Sequence, residues 1–454
     1  MNNSVFLLTL LLIQCISFWI GHKSSKKFSS KEDYFLAGKN LSFFPLMMSF
    51  VATQVGGASI LGSSEEAYHF GVLALLYPLG LSLGLIFLGC GPGKKLAKFS
   101  FLTISEFLEK SYSSKFLKKF SSSLSIITLF LILIAQVVAS RKFLFTLGFV
   151  SPFWIIFLWS IIIFYTSLGG LRAVVNTDII QATFLILALV FCGCLVFHSQ
   201  SLSFQDLLPI NSENVISYKS LLAWFFSPLM FLFIEQDMVQ RCFASKSPKI
   251  LKRSAIFSGL IIVALSVVPV LFGILLKKNG LHVSNRQSVF MTAVMFFTNP
   301  YFSGFIGCSV LVAIISTADS LINSICSLVV NDFIKVEKNI TFKIISLIIS
   351  VLAALLASYF NSIISLVVFS YGLSISCLLV PIMGALLVNY SFSFFSAFLS
   401  VIFGGTTFLL ETRGLLCNNL LPKDVFSILV SFLGFIFGEM LHLLRKRVFH
   451  LENR

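Results

Sequence analysis

Four oxygen-bearing side chains lie within five residues of one otherwise apolar segment: Ser316, Thr317, Asp319 and Ser320. A carboxylate near the centre of a membrane helix costs about 2.5–3.5 kcal/mol on insertion scales, so it marks an ion or substrate path. Ala313, Ser316, Thr317 and Ser320 recur at spacings of three and four residues, which places them on one helix face. Sodium is a hard cation that, like calcium and magnesium, prefers oxygen ligands. The segment therefore predicts half of a sodium site.

The composition is that of a polytopic, all-α membrane protein. Hydrophobic residues make up 57% of the 454 residues, charged residues make up 11%, and the mean hydropathy is +0.97. Soluble domains carry about 25% charged residues. About thirteen apolar runs are long enough to span a bilayer, at 4–21, 43–62, 70–91, 122–147, 152–168, 174–198, 220–239, 254–276, 287–298 continuing through 302–330, 341–360, 363–388, 392–411 and 424–444. The sequence shows neither a nucleophile–base arrangement nor ligand-spaced His or Cys, so we expect no enzyme.

The net charge of +15 is mainly a topology signal. If the N-terminus is outside, the inner loops hold about three times as many Lys and Arg residues as the outer loops, as the positive-inside rule requires. We therefore expect the N-terminus outside and the C-terminus in the cytoplasm, in the inner membrane of a bacterium. We expect no nucleic-acid partner, because no basic domain lies outside the membrane.

Two predicted spans contain helix breakers near mid-membrane. The second span holds Gln54–Val55–Gly56–Gly57, and the seventh holds Ser227–Pro228. Broken helices at corresponding positions of two halves are typical of an inverted-repeat transporter with its site at the midplane. Taken alone, the two glycines also allow close helix packing, and Pro228 also allows an ordinary kink.

Five segments in one order resemble the sodium:solute symporter family. They are DYFLAGKNL at 33–41, TISEFLEK at 103–110, GGLRAVVNTDIIQ at 169–181, the EQ…QR…ASKS pattern at 235–247, and AIISTADSLIN at 313–323. The resemblance implies a leucine-transporter-like core of two inverted five-helix repeats, helices 2–6 and 7–11, at 41–388. One helix and an inner loop precede the core at 1–40, and two further helices with a short inner tail follow at 389–454, all in one transport domain.

The same resemblance implies a main sodium site. Its ligands are the backbone carbonyls of Ala52 and Val55, the carbonyl of Ala313, and the hydroxyls of Ser316 and Thr317. The alternative for the two hydroxyls is a bond back to a carbonyl of their own helix.

A second sodium is implied at Asp178, with Ser316, Ser320 and Asp319 as its other candidate ligands. The alternative for Asp178 is an N-cap at the start of helix 6, stabilised by the helix dipole. Asp319 can also face a polar cavity or pair with a cation.

Gln54, Gly56, Gly57, Glu235 and Gln236 are the predicted substrate-binding residues. The alternative is a structural hydrogen-bond network, because buried amides need partners. Further along helix 7, Asp237 is expected to pair with Arg241 at the i+4 position. Tyr68, Trp224 and Tyr371 are weaker candidates for stacking on a solute.

The expected function is sodium-coupled import of a small organic solute by alternating access. The solute class is a sugar, sialic acid, a monocarboxylate or an amino-acid-like compound. The alternatives are a proton-coupled transporter using Asp178 or Asp319, and a solute sensor that acts with a separate signalling partner.

Overall fold

A computed structural model describes residues 1–25, 31–166, 170–199, 216–334, 339–416 and 420–452 of the chain. Within these ranges the secondary structure is α-helical, apart from short 3-10 and π turns and one isolated bridge between Leu41 and Ser245. The helices are α1 Asn3–Ser25, α2 Lys31–Leu36, α3 Phe43–Gln54, α4 Ser63–Phe70, α5 Leu76–Cys90, α6 Pro92–Leu96, α7 Ile104–Tyr112, α8 Lys115–Thr146, α9 Pro152–Thr166, α10 Leu171–Ser199, α11 Tyr218–Phe231, α12 Gln236–Ala244, α13 Pro248–Lys278, α14 Val289–Phe297, α15 Pro300–Leu328, α16 Asn339–Leu356, α17 Ile363–Leu387, α18 Phe394–Thr412 and α19 Lys423–Glu452.

Eleven stretches of the described residues are long and apolar enough to cross a membrane. The prediction of an all-helical membrane fold is confirmed, whereas the count of thirteen spans is not. One stretch, 58–90, joins the end of the predicted second span to the third. Helix α9 has 15 residues, fewer than the roughly 20 that a span needs. Residues 167–168 of the predicted fifth span, and Gly169 of the motif that follows, lie outside the described residues.

The start of α15 is fixed by its cap. The Asn299 side-chain oxygen accepts hydrogen bonds from the backbone N–H groups of Tyr301 (3.1 Å) and Phe302 (2.9 Å). Pro300 occupies the first helical position, where a missing N–H costs nothing. This cap sets the register of a helix that packs against α3, α8 and α10. Its spanning window is 94% buried, so its oxygen-bearing face meets protein.

The first helix interruption lies where the sequence predicts it. Helix α3 ends at Gln54, Val55 leaves the helical region with φ −95° and ψ 71°, and the chain resumes through a π turn at Ala58–Gly62 into α4. π turns inside helices occur frequently at functional sites. The predicted break of the second span is therefore present.

The second interruption is displaced from the predicted position. Pro228 lies inside α11, which continues to Phe231, so the prediction of a break at Ser227–Pro228 is wrong. Proline lacks the N–H that would bond the preceding turn and its ring crowds that turn, yet α11 continues beyond it to Phe231. The ladder fails a turn later, where Ile234 N–H bonds Phe231 O at 3.0 Å and Glu235 adopts an extended conformation before α12 begins.

Candidate functional site

The break after α3 leaves backbone carbonyls at the end of the helix without partners in α3. The hydroxyls of Thr317 and Ser59 form hydrogen bonds with these carbonyls. The Thr317 hydroxyl on α15 lies 3.3 Å from the carbonyl oxygen of Ala52 and 3.2 Å from that of Thr53. The Ser59 hydroxyl donates to the Gln54 carbonyl at 2.6 Å. Since a continuous helix would use these carbonyls internally, the interruption is what makes them available to a ligand.

The five predicted ligands of the main sodium site are all buried, and the structure joins two of them directly. Thr317 meets Ala52 across the α3–α15 contact, while Val55 and Ala313 lie on the same two segments with 1% and 2% exposure. The Ser316 hydroxyl donates to Asp178 Oδ1 at 2.6 Å. A serine oxygen that donates its one hydrogen keeps lone pairs for a cation. Neutral oxygens backed by a buried carboxylate are a donor set that suits sodium.

These bonds also settle how the two hydroxyls are used. Ser316 donates to Asp178 on α10 and Thr317 donates to α3, so both cross to another helix. The alternative in which they bond carbonyls of their own helix is wrong for this arrangement. The reason is the tight packing of α15 on α3 and α10, which brings acceptors within reach.

Asp178 is a buried hub and not a helix cap. Helix α10 begins at Leu171, so Asp178 lies two turns inside it, and the N-cap alternative is wrong. Its side chain is fully buried, with Oδ1 accepting from Ser316 and Oδ2 accepting from the Ser49 hydroxyl at 2.6 Å. The carboxylate therefore connects α3, α10 and α15 at the interrupted helix.

Arg241 supplies a buried cation beside this hub. Its Nη2 lies 2.8 Å from Ser320 Oγ and 3.5 Å from Asp178 Oδ2, and its Nε donates to Ser49 at 2.9 Å. Its Nη1 bonds Asp237, so the geometry contains the predicted i+4 ion pair. The guanidinium thus contacts Ser320 and Asp178, two of the candidate ligands implied for a second sodium. Asp319 is buried next to Ser320 on the same helix.

A small polar cavity lies between the two interruptions. The Gln54 amide, at the end of α3, donates to Glu235 at 3.2 Å, and Glu235 immediately precedes α12. The tyrosine hydroxyls of Tyr77 and Tyr371 meet at 3.4 Å. The cavity is lined by Thr53, Gln54, Gly56, Ala58, Tyr77, Ile132, Gln136, Glu235, Thr317, Leu321, Val367 and Tyr371. Its volume of about 20 Å³ is enough for one water molecule, so the cavity must widen to admit a solute.

Two of the predicted substrate-binding residues lie elsewhere. Gln236 does not line this cavity, because its side-chain amide accepts from the N–H of Ile104 (2.8 Å), the first residue of α7, and donates to the carbonyl of Leu102 (3.2 Å) just before that helix. Gly57 packs against α8, where an added Cβ would lie 2.5 Å from that of Ala139. Its N–H donates to the Gln136 side chain at 2.9 Å.

Of the three weaker candidates for stacking on a solute, one lines the cavity and two do not. Tyr371 lines the cavity and stacks on Phe231, with ring centroids 4.2 Å apart. Tyr68 instead donates its hydroxyl to Leu281 O, and Trp224 packs on Phe70.

Sequence reasoning missed four polar residues of this region: Ser49, Thr53, Tyr77 and Gln136. Ser49 and Thr53 are spaced by four residues on α3, and both face the hub, since the Thr53 hydroxyl lies 3.3 Å from Ser320 Oγ. That spacing beside the predicted break is a usable signal. Gln136, an isolated amide within an apolar run, is another, because a buried amide needs a partner.

The fold and site define a class of protein: a membrane transporter in which two interrupted helices meet at a buried polar cavity. The sodium:solute symporter family profile matches residues 34–404, and the chain belongs to that family. Members of the family are secondary transporters, so this chain is a transporter and not an enzyme.

Curated relatives include transporters of different solutes. The chain is 24% identical over 340 residues to the high-affinity choline transporter 1 of Drosophila melanogaster, and it spans about half, 54%, of that protein's length while 70% of the chain is matched. It is 28% identical to the osmoregulated proline transporter OpuE of Bacillus subtilis, over 69% of the chain and 68% of that protein. A sodium/glucose cotransporter of Vibrio parahaemolyticus is 29% identical over 40% of the chain and 34% of its own length.

Solved structures share the fold. A Na⁺-coupled sialic acid symporter in a substrate-bound outward-open state superposes with a TM-score of 0.78 at 17% identity, over 97% of both chains. Mhp1, a nucleobase-cation-symport-1 family transporter in a closed conformation with bromovinylhydantoin bound, gives 0.65 at 14% identity, over 91% of this chain and 94% of its own. The leucine-transporter-like architecture is thereby confirmed.

Proposed function

We propose that the protein imports a small polar organic solute together with sodium, by alternating access. Sodium would be held between the broken helix and α15 by the carbonyls of Ala52, Val55 and Ala313 and the hydroxyls of Ser316 and Thr317. The observation that carries this proposal is the contact of the Thr317 hydroxyl with the Ala52 carbonyl at the interruption. The main-chain break, the buried hydroxyls and the family membership all support it.

The charge of the cavity favours a solute without net negative charge. Among the described residues that line the cavity, Glu235 is the one ionisable group apart from the two tyrosines, and none is Lys or Arg. An anionic solute would therefore lie beside the Glu235 carboxyl group, with no Lys or Arg of the described lining to pair with it. Of the expected classes, sugars and amino-acid-like compounds carry no net negative charge and remain candidates. Cationic amines, a class that the sequence did not suggest, gain support from the tyrosine rings beside Glu235. Sialic acid and monocarboxylates lose support.

We infer that one sodium ion is coupled, not two. Arg241 Nη2 donates to Ser320 and lies 3.5 Å from Asp178, so a fixed positive charge already neutralises the candidate second site. A sodium ion between the same oxygens would be repelled by the guanidinium. The residues implied for a second sodium, Asp178, Asp319, Ser316 and Ser320, therefore serve as a structural support for the first.

Sodium and solute would be coupled through the broken helix. The ion would hold the end of α3, and Gln54 at that end reaches Glu235 before α12. Each occupant would raise the affinity of the other by the same factor. One positive charge crossing a membrane potential gains about 2.3 kcal/mol per 100 mV, enough to drive uptake. The excess of Lys and Arg in the predicted inner loops supports a cytoplasmic C-terminus in a bacterial inner membrane.

The test is sodium-dependent thermal stabilisation of the purified protein, with potassium replacing sodium to hold the ionic strength. We expect stabilisation by sodium that Thr317→Val abolishes. Ser309→Ala is the matched control, because Ser309 is buried on the same helix and bonds its own turn at Ile306 O. A panel of choline, glucose, proline and sialic acid is then added with sodium present.

Two outcomes would overturn the proposal. Equal stabilisation by sodium and potassium would show that the protein has no sodium-specific site. A pH-dependent response without sodium dependence would put proton coupling through Asp178 or Asp319 in its place.

A further inference from the structure

A second cavity, of about 390 Å³, opens between α11, α17 and α19 at the protein surface. Its walls are apolar, and residues at its edge are half exposed, among them Leu387 (52%), Val388 (49%) and Phe432 (51%). In a membrane-spanning chain such a surface faces lipid. The volume lies within the ~300–1,000 Å³ of ligand pockets, so the cavity can take an apolar chain.

A cation and an anion are bonded to the segment 386–393, part of which lines this cavity. Lys95 Nζ donates to the carbonyls of Leu386 (2.7 Å) and Leu387 (3.4 Å), at the end of α17. Glu439 on α19 accepts from the Tyr390 hydroxyl (3.1 Å) and the Ser393 N–H (2.9 Å). The Lys95 ammonium has a third donor for a ligand. The Glu439 carboxylate also has the Ser393 and Ser396 hydroxyls beside it, so it attracts a ligand ammonium mainly through its charge.

We propose that this cavity binds phosphatidylethanolamine from the adjacent membrane leaflet. One acyl chain fills the apolar cavity, the phosphate contacts Lys95, and the primary ammonium contacts Glu439. A headgroup with only negative charge would leave Glu439 facing an anion. A quaternary ammonium has no N–H to donate, so it forms no charge-assisted hydrogen bond with the carboxylate. The pairing of these charges therefore selects the zwitterion with a primary amine.

The position of the cavity connects lipid to the moving part of the protein. Met230, in the last turn of α11, and Phe233, within the second interruption, both line it. Glu235, two residues further on, bonds Gln54 at the first interruption. An acyl chain packed on Met230 and Phe233 favours the arrangement seen here, because a ligand shifts the equilibrium toward the state that it binds better.

The experiment uses the full chain in phosphatidylcholine nanodiscs with a photoreactive phosphatidylethanolamine that carries a diazirine near the end of its acyl chain. We expect labelling of the peptides that contain Met383 and Phe435, reduced at least fivefold in Val380→Trp, which fills the cavity. Val351→Trp is the control, because Val351 is 44% exposed on α16. If Val380→Trp does not fold, Val388→Trp at the half-exposed edge narrows the same cavity.

Competition with unlabelled lipid tests the headgroup. Dioleoyl phosphatidylethanolamine should compete at least fivefold better than dioleoyl phosphatidylglycerol or phosphatidylcholine, and Lys95→Gln should weaken its binding while Lys98→Gln, an exposed lysine nearby, should not. Equal competition by all three lipids would overturn the proposal. So would undiminished labelling in the filled variant, or a crosslink to a second copy of the chain in place of lipid labelling.

Discussion

A methyl group on Gly56 would lie 2.9 Å from the Cβ of Thr317 and closer still to its hydroxyl oxygen. Thr317 can approach the interrupted helix only because residue 56 has no side chain. Gly56→Ala should therefore push Thr317 away from the Ala52 carbonyl without straining the backbone. We expect the sodium concentration for half-maximal thermal stabilisation to rise about tenfold, a loss of about 1.4 kcal/mol in sodium binding.

Gly193→Ala is the control for this substitution. Its added methyl meets the Val268 side chain at 3.1 Å, away from the site, so the sodium response should be unchanged. An unaltered sodium titration in Gly56→Ala, with normal folding, would show that Thr317 is not a ligand.

Arg241 should tolerate no replacement by lysine. Its five N–H groups are matched by acceptors on Ser49, Asp178, Asp237 and Ser320, an arrangement that the three donors of a lysine cannot reproduce. Because the guanidinium is fully buried, Arg241→Lys should cost about 2–4 kcal/mol of stability. Thermal melting without sodium measures it, with exposed Arg286 changed to lysine as the control.

Arg241 also determines the expected number of bound sodium ions, because its guanidinium lies beside the candidate ligands of a second one. Radioactive sodium binding to the wild-type protein should saturate at one ion per chain with no cooperativity. Saturation at two ions per chain would contradict the assignment of Arg241 as the cation of the second site.

Pro228→Ala should leave sodium binding unchanged. The helix break lies at residues 232–235 and not at the proline, so alanine restores one helical hydrogen bond and removes ring packing on Gly80. These terms oppose each other, and we expect a stability change within about 1 kcal/mol. Pro269→Ala, inside the continuous helix α13, should behave alike. A sodium titration that shifts in Pro228→Ala alone would place the functional break at the proline.

Sequence reasoning reached the first interruption because its cause is local. Adjacent glycines after a polar residue in an apolar run leave a helix without side-chain packing, and the structure breaks at that point. The second interruption depends on tertiary contacts. The proline that marks it in the sequence is absorbed by α11, and the break forms where Glu235 can reach Gln54, a partner 181 residues away.

The polar residues around Asp178 show the same division. Periodicity predicts that Ser316 and Thr317 lie on one face of a helix. In the structure both lie on α15, and their hydroxyls bond neighbouring helices. Periodicity gives no means of knowing that Arg241 from α12 lies against Asp178 from α10, because that contact joins two helices from different repeats. An N-cap was a reasonable alternative for Asp178 only while the start of α10 was unknown.

Glu235→Gln should relax the discrimination against anionic solutes. The amide can still bond Gln54, so the link between the two interruptions persists while the negative charge of the cavity is lost. Relative to a neutral sugar, sialic acid should bind about tenfold more tightly to the variant than to the wild-type protein, as measured by solute-dependent stabilisation in saturating sodium. Glu66→Gln on α4, whose carboxylate is not among the cavity lining, is the matched control and should leave that ratio unchanged. An identical ratio in Glu235→Gln and the wild type would mean that the acid is shielded from the solute and that the charge of the cavity does not select it.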